Sequence, residues 1–93
     1  SDETNEYNTA KKVAEDTDQV EYNLTGYVDD KKDSNITHKD QEVIIGENSK
    51  GALKIISDAI KGHKSGEEIT IEGLNAQILR QMAATIQVRM LSL

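Results

Sequence analysis

The chain has 93 residues, of which 35% are hydrophobic and 30% charged, and it contains three Tyr but no Phe, Trp or Cys. Its length favours a single domain with an aliphatic core, and the lack of cysteine excludes disulfides, thiolate metal sites and a cysteine nucleophile. The net charge of −6 argues against a nucleic-acid partner, which requires clustered Lys and Arg. No apolar run approaches the length of a membrane span, about 18 residues or more. We therefore expect no membrane association. The lack of cysteine fits the cytosol (cytoplasmic) or a virion assembled there, although exported proteins can also lack cysteine.

The amino-terminal segment is polar. Residues 1 to 19 carry few apolar side chains and are dense in Asp, Asn and Thr, which compete with helix formation through local hydrogen bonds. The spacing of the apolar residues fits a thin helical stripe, but an extended or disordered arm fits the composition at least as well. We expect residues 1 to 17 to form a flexible acidic arm and residues 18 to 93 to form a single small domain.

Residues 20 to 28, VEYNLTGYV, alternate between apolar and polar side chains, which predicts a half-buried strand. Gly26 shifts the alternation and predicts a bulge or an outward bend. The strand ends in Asp-Asp and is expected to lead the chain into solvent. Tyr22 should lie in the core and Tyr27 on the opposite face, where it either serves an interface or caps the edge of its own core.

The middle of the chain predicts two further strands and a helix. Residues 42 to 45 and residues 68 to 72, EITIE, have the composition and spacing of short strands. Between them, residues 50 to 61 carry apolar side chains at helical spacing, and Gly62 follows in the position of a C-cap glycine.

The carboxyl-terminal segment fits two patterns. Apolar side chains recur every four residues from Ile78 to Met90, as on one face of a helix, whereas Ile86 and Val88 alternate with polar neighbours, as in a strand. We expect a helix from residue 75 to about residue 84. For the residues that follow, helix and strand both remain open.

The predicted fold is therefore α+β: a small single domain with about three short strands, a helix near residues 50 to 61 and a C-terminal helix. The side chains expected in its core are aliphatic or sulfur-containing. They are Leu24, Val43, Ile45, Leu53, Ile56, Ile60, Ile69, Ile71, Ile78 and Met82.

The sequence offers no convergent set of catalytic or ligating residues. His38 and His63 both lie in polar, loop-like stretches, and without cysteine a zinc site would need carboxylates from distant segments. Residues 62 to 68, GHKSGEE, follow a helix, whereas a phosphate-binding loop precedes one. We predict no catalytic, cofactor-binding or metal-binding residues and no enzymatic activity.

Two stretches of the chain resemble one protein family. EDTDQVEYNLTGYVDD together with SKGALKIISDAIKGHKSGEEITIEG is similar to the amino-terminal domain of Dit-like phage tail (baseplate) proteins. Leu24-Thr25-Gly26 with Val28-Asp29 matches the family's strand of the type ITLTGxVxD. Leu53 and Ile56 match its helix, and Gly66 through Ile71 match the strand that follows. The chain lacks the family's His- and Pro-bearing stretch before the first strand, and its carboxyl end looks more helical than the family's closing strand. The resemblance implies a structural subunit that assembles into a ring without catalysis.

These observations predict a non-catalytic structural or assembly module that acts through protein–protein contacts. The alternative is a small acidic inhibitor or adaptor that binds a basic surface of a partner. The carboxyl-terminal segment carries more apolar side chains than one small domain easily covers, which indicates contact with a protein partner or with a second copy in a homo-oligomer. The residues expected at this contact are Tyr27, Ile86, Val88, Met90, Leu91 and Leu93.

Overall fold

The structure is a computed structural model that describes residues 12–47, 50–73 and 81–91. These residues form a five-stranded antiparallel sheet with one α-helix, and 51% of them are in strands against 18% in helices. A short 3₁₀ helix, Ser34–Ile36, links the second and third strands. In chain order the elements are β1 (Gln19–Val28), β2 (Lys31–Lys32), β3 (His38–Ile44), α1 (Gly51–Ile60), β4 (Glu68–Glu72) and β5 (Met82–Leu91).

Strand β1 is the centre of the sheet. On one side it pairs with β5 from Val20↔Leu91 to Val28↔Met82, and β4 adds to the far edge of β5. On its other side β1 pairs first with β3 and then, at its end, with β2. Because directly opposed residues of antiparallel strands share a face, the even-numbered residues of β1 and their partners form one apolar face. Helix α1 packs on that face.

The pair Asp29-Asp30 forms a tight hairpin between β1 and β2. Their φ angles are 50° and 65°, and Val28 is paired directly with Lys31. A two-residue hairpin of type I′ requires positive φ at both central residues, and Asp adopts this conformation more readily than most residues. The two aspartates therefore turn the chain back along β1 at once.

Gly26 marks a close approach of two segments. The sequence left a bulge or an outward bend open at this position, and the bulge is wrong. Strand β1 continues through Gly26, which is in register with Ala84 of β5. The segment after β2 folds over it: the Gly26 N–H donates to Oγ1 of Thr37 at 3.2 Å. A Cβ on Gly26 would lie 2.5 Å from the carbonyl oxygen of Ile36. Only glycine leaves room for this crossing.

The core lies between α1 and the apolar face of the sheet. Ile56 and Ile60 of the helix are buried against it, and the Gly46 N–H donates to Oγ of the buried Ser57 at 3.1 Å. The sheet, the segment before it and the turn after β3 contribute the other buried apolar side chains: Ala14, Val20, Tyr22, Val43, Ile45, Ala84, Ile86, Val88 and Leu91.

The predicted α+β fold with a C-terminal helix is wrong, because residues 82 to 91 form the long strand β5. Side chains alternate between the two faces of a strand, so residues that are an even number of positions apart share a face. Met82 and Ile86, four positions apart, therefore lie on one face of a strand as well as of a helix. A bulge then shifts the pattern: Tyr22 is opposed to Val88 but Glu21 to Met90, so the next inward residue after Val88 is Leu91. Residues 74–80, which include most of the predicted helix and Ile78, lie outside the described residues.

Other predictions have mixed outcomes. The strand at 68 to 72 and the helix near 50 to 61 are confirmed, and the predicted strand at 42 to 45 is the end of the longer β3. The predicted core members Val43, Ile45, Ile56 and Ile60 are buried, whereas Leu24, Ile69, Ile71 and Met82 are half-buried. Of the predicted arm, residues 12 to 17 are described, and Ala14 belongs to the core.

Two adjacent isoleucines of α1 provide a test of the helix orientation. Ile56→Ala should lower the free energy of unfolding by about 2–5 kcal/mol, because it leaves a cavity in the core. Ile55→Ala removes the same atoms from an exposed position and should cost less than about 0.5 kcal/mol. Urea denaturation at low protein concentration measures both values. Equal losses would mean that the helix is rotated relative to the sheet.

The close approach at Gly26 gives a second stability prediction. Gly26→Ala should lower the free energy of unfolding by about 1–3 kcal/mol, because the new methyl group overlaps Ile36 and forces the two segments apart. Thr25→Ala, one residue away on the other face of β1, is the matched control and should cost less. Chemical denaturation of the two variants gives the comparison, and a Gly26→Ala protein as stable as the wild type would contradict the crossing.

Candidate functional site

An open apolar groove lies between the amino-terminal half of α1 and the uncovered part of the sheet. Its volume is about 740 Å³, within the range of ligand-binding clefts. Its floor is formed by Leu24 and Gly26 of β1 with Ala84 and Met82 of β5, and Ile71 of β4 lies at one side. We refer to this feature, together with the residues of α1 that border it, as the groove.

The groove exists because the helix is short. Helix α1 has 10 residues, and so does each of the two central strands. Ten residues span about 15 Å as a helix but about 33 Å as a strand. One such helix cannot cover the apolar face from end to end, so part of that face stays open to solvent.

Two large apolar side chains border the groove and are exposed. Leu53 is 46% exposed and Ile55 is 41% exposed, and both belong to the lining. Leu53 was predicted in the core. It extends the buried stripe of Ile56 and Ile60 toward the amino end of the helix, but the sheet below that end is not close enough to bury it. An exposed apolar surface of this kind usually marks a contact with another molecule.

Most of the lining is apolar. Its polar side chains are Tyr22, His38 and Gln41, and none of the described lining residues is Asp, Glu, Lys or Arg. Burial raises the pKa of Tyr22, which keeps its hydroxyl neutral. The chain as a whole has a net charge of −6, but an apolar partner bound in the groove would contact no carboxylate among the described lining residues.

The structure separates the residues that the sequence predicted at a contact. Ile86, Val88 and Leu91 are 0%, 1% and 2% exposed in the core of the chain itself, so they cannot also meet a partner in this fold. The sequence argument held that one small domain does not easily cover these side chains, but this domain covers all three. The physical reason is that β5 pairs with β1 along nearly its whole length, and the inner face of these strands packs into one core with Ile56 and Ile60 of α1.

Tyr27 and Met90 lie on the outer face of the sheet, opposite the helix. Tyr27 is half-buried and in register with Ala83, whereas Met90 is 55% exposed and in register with Glu21. Six residues of β1 separate the two positions, a distance of about 20 Å, so they do not form one patch. Leu93 lies outside the described residues.

A signal for the groove was present in the sequence. Ile55 falls outside the apolar stripe of the helix, and an aliphatic side chain on the polar side of an amphipathic helix is often a contact residue. The position of the groove itself could not be predicted, because it depends on the pairing of β1 with β5.

A separate polar cluster lies beyond the C-terminal end of α1. Ala14 pairs there with the loop after the helix: its N–H donates to the carbonyl of His63 and its carbonyl accepts from the N–H of Gly62, both at 2.8 Å. Asp18 accepts from the Glu15 N–H at 2.9 Å and lies 3.2 Å from Nζ of Lys12. These contacts hold the amino-terminal segment against the core.

Two carboxylates of this cluster have lowered pKa values. The backbone N–H of Glu15, assisted by Lys12, lowers the pKa of Asp18. The His63 ring, 2.7 Å away, and the Lys64 N–H lower the pKa of Glu67. Hydrogen bonds to the ionised form explain both directions. The cluster has a structural role, and among the described residues no group of three or more His, Asp or Glu could hold a metal ion.

Comparison with known proteins adds no family. No protein-family model matches the chain, and no curated protein is significantly similar to it. None of the helices in the described part of the chain is long and apolar enough to span a membrane.

The lowered pKa values predict the acid dependence of stability. Asp18 and Glu67 are ionised more readily in the folded chain than in the unfolded chain, so their contribution is present above about pH 4–4.5 and is lost as the pH falls through their lower folded values. In the double variant Asp18→Asn, Glu67→Gln, the free energy of unfolding should therefore decrease less steeply below about pH 5 than in the wild type. Urea denaturation at several pH values measures this, and an unchanged slope would contradict the assignment.

Proposed function

We propose that the protein is a non-catalytic assembly module that associates with further copies of itself through the groove and the exposed side of α1. The observation that carries the proposal is the open apolar groove bordered by Leu53 and Ile55. Among the described residues three large apolar side chains are exposed: Leu53 and Ile55, which both line the groove, and Met90, which lies on the opposite face of the sheet.

A second copy of the chain fits this surface chemically. The same surface carries a recess lined by aliphatic groups and protruding aliphatic side chains of the kind that a recess can bury. Two chains of net charge −6 repel each other over most of their surface. They repel each other less here, because the lining described above contains no carboxylate.

The resemblance to tail proteins gives the proposal a more specific form, a ring-forming structural subunit. Strand β5 supports this form, because it is a closing strand in the place where the family has one. The sequence alone had indicated a helix there.

The acidic outer face of the sheet favours the alternative, an inhibitor or adaptor that binds a basic partner. Glu21, Glu42, Glu68 and Glu72 all point away from the helix, as their registers with Met90, Gln87 and Ala83 show. An adaptor of this kind would be a monomer, whereas an assembly module would not. The two functions therefore differ in the molecular mass of the purified protein.

Light scattering with size-exclusion chromatography tests the proposal. The monomer mass is 10.3 kDa, and we expect a mass of at least twice this value that falls toward the monomer for Leu53→Glu and for Ile55→Glu. Each variant places a charge where apolar surface is buried on association. Met90→Glu is the matched control, because it adds the same charge to an exposed apolar position on the other face.

Two outcomes would contradict the proposal. A wild-type protein that remains a monomer up to about 1 mM does not assemble by itself at any useful strength. Loss of assembly in Met90→Glu, with Leu53→Glu unaffected, would place the contact on the outer face of the sheet.

A further inference from the structure

We infer that two copies associate through their α1 helices, packed antiparallel about a two-fold axis that passes close to Ile55. This inference rests on the proposed function, since it specifies the geometry of the self-association. It follows from the order of apolar, small and charged side chains along the exposed side of the helix.

The apolar part of this surface is centred on Ile55. Ala52 precedes it by three residues and Ala59 follows it by four, so all three lie on one side of the helix, with Ala52 exposed and Ala59 half-buried at the edge of the core. In an antiparallel two-fold pair, Ala52 of each copy is opposite Ala59 of the other, and the two Ile55 side chains meet between them. Small residues on both sides allow the helices to approach to the usual distance of about 8–10 Å.

The charges beside this apolar centre select the antiparallel direction. Lys54 and Asp58 are exposed, are separated by one turn and form an ion pair of 2.5 Å within the chain. A two-fold axis perpendicular to the helices reverses the order of the charges in the partner, so Lys54 of each copy lies beside Asp58 of the other. A parallel pair, whose two-fold axis runs along the helices, would place the Lys54–Asp58 edges of the two copies on opposite sides of the contact, where no ion pair can form between them. The surface is therefore complementary to itself in only one of the two directions.

The helix pair also covers the mouth of the groove. Ala52 and Ile55 belong both to the groove lining and to the proposed contact. Association therefore buries the part of the groove lining that α1 contributes. A single pair of ten-residue helices is a small interface by the standard of stable dimers, which bury roughly 800 Å² on each partner. We expect a dimer of micromolar rather than nanomolar affinity.

Charge reversal at the two positions gives the decisive experiment. Lys54→Asp has Asp at both positions, and Asp58→Lys has Lys at both. For each variant alone, the dissociation constant of the dimer should be at least about tenfold higher than for the wild type, because both contacts across the axis become repulsive. An equimolar mixture of the two variants should regain the wild-type affinity, because each contact is then between Lys and Asp. Sedimentation equilibrium measures all three dissociation constants.

The mixture separates this geometry from effects within one chain. Each reversal also breaks the ion pair inside its own helix, and mixing cannot restore that pair. A gain of affinity on mixing therefore reports contacts between chains. Circular dichroism verifies that both variants are folded, which we expect because both side chains are exposed.

Cross-linking provides an independent measurement. The chain has no cysteine, so Ile55→Cys introduces a single thiol next to the proposed axis. Mild oxidation should convert this variant into a disulfide-linked dimer much faster than the control variant Met90→Cys, whose thiol is on the outer face. Equal rates for the two variants would contradict the position of the axis.

The possible failures are distinct. A monomeric wild type would overturn both the proposed function and this inference. A wild type that self-associates, with reversed variants of unchanged affinity or a mixture that does not regain affinity, would overturn the helix pairing alone. A particle larger than a dimer that is insensitive to both reversals would do the same, and would favour a ring built on a different contact.

Discussion

The pairing of β1 with β5 determines the rest of the structure. These strands are far apart in the sequence, yet they align along nearly their whole length and form the middle of the sheet. Every other strand pairs with one of these two, and α1 lies across the face that they share. This pairing closes a long loop, which costs chain entropy. Burial of the apolar face offsets that cost only when the whole face is assembled, so the fold forms as a single cooperative unit.

The groove follows from the same pairing. Two long strands in register create a long apolar face. A helix with the same number of residues is shorter than this face and leaves part of it uncovered. The helix is placed toward one end of that face, where Ser57 binds the N–H of Gly46 and Ile60 lies against the core. The sheet does not close against the amino-terminal half of the helix, so Leu53 is left exposed, whereas Ile55 is exposed because it lies outside the apolar stripe of the helix. The groove is thus a consequence of element lengths and needs no distortion of the backbone.

The sequence predicted local elements better than it predicted their environment. Residues 51 to 60 form a helix and residues 68 to 72 a strand, as expected, because each carries a clear periodicity between glycines. Strand β5 was missed because apolar residues four positions apart fit the period of a strand as well as that of a helix. Only the pairing with β1 determines which of the two forms. The same uncertainty placed Ile86, Val88 and Leu91 at a contact, although all three are buried in the core between the sheet and α1. Conversely, the helical stripe placed Leu53 in the core, because periodicity gives the direction of a side chain but not the extent of the surface opposite it.

Under the proposed function, assembly and stability are coupled. A domain of this size buries only about 60–65% of the surface of its unfolded chain, so its margin of stability is small, and here part of the apolar face is left uncovered. A second copy that binds the folded state, and not the unfolded chain, stabilises the fold by mass action. Residues such as Ile55 then contribute little to the isolated fold and much to the assembled one. Under the proposed function, exposed apolar side chains on α1 are retained because the surface that they complete belongs to the assembly rather than to the single chain.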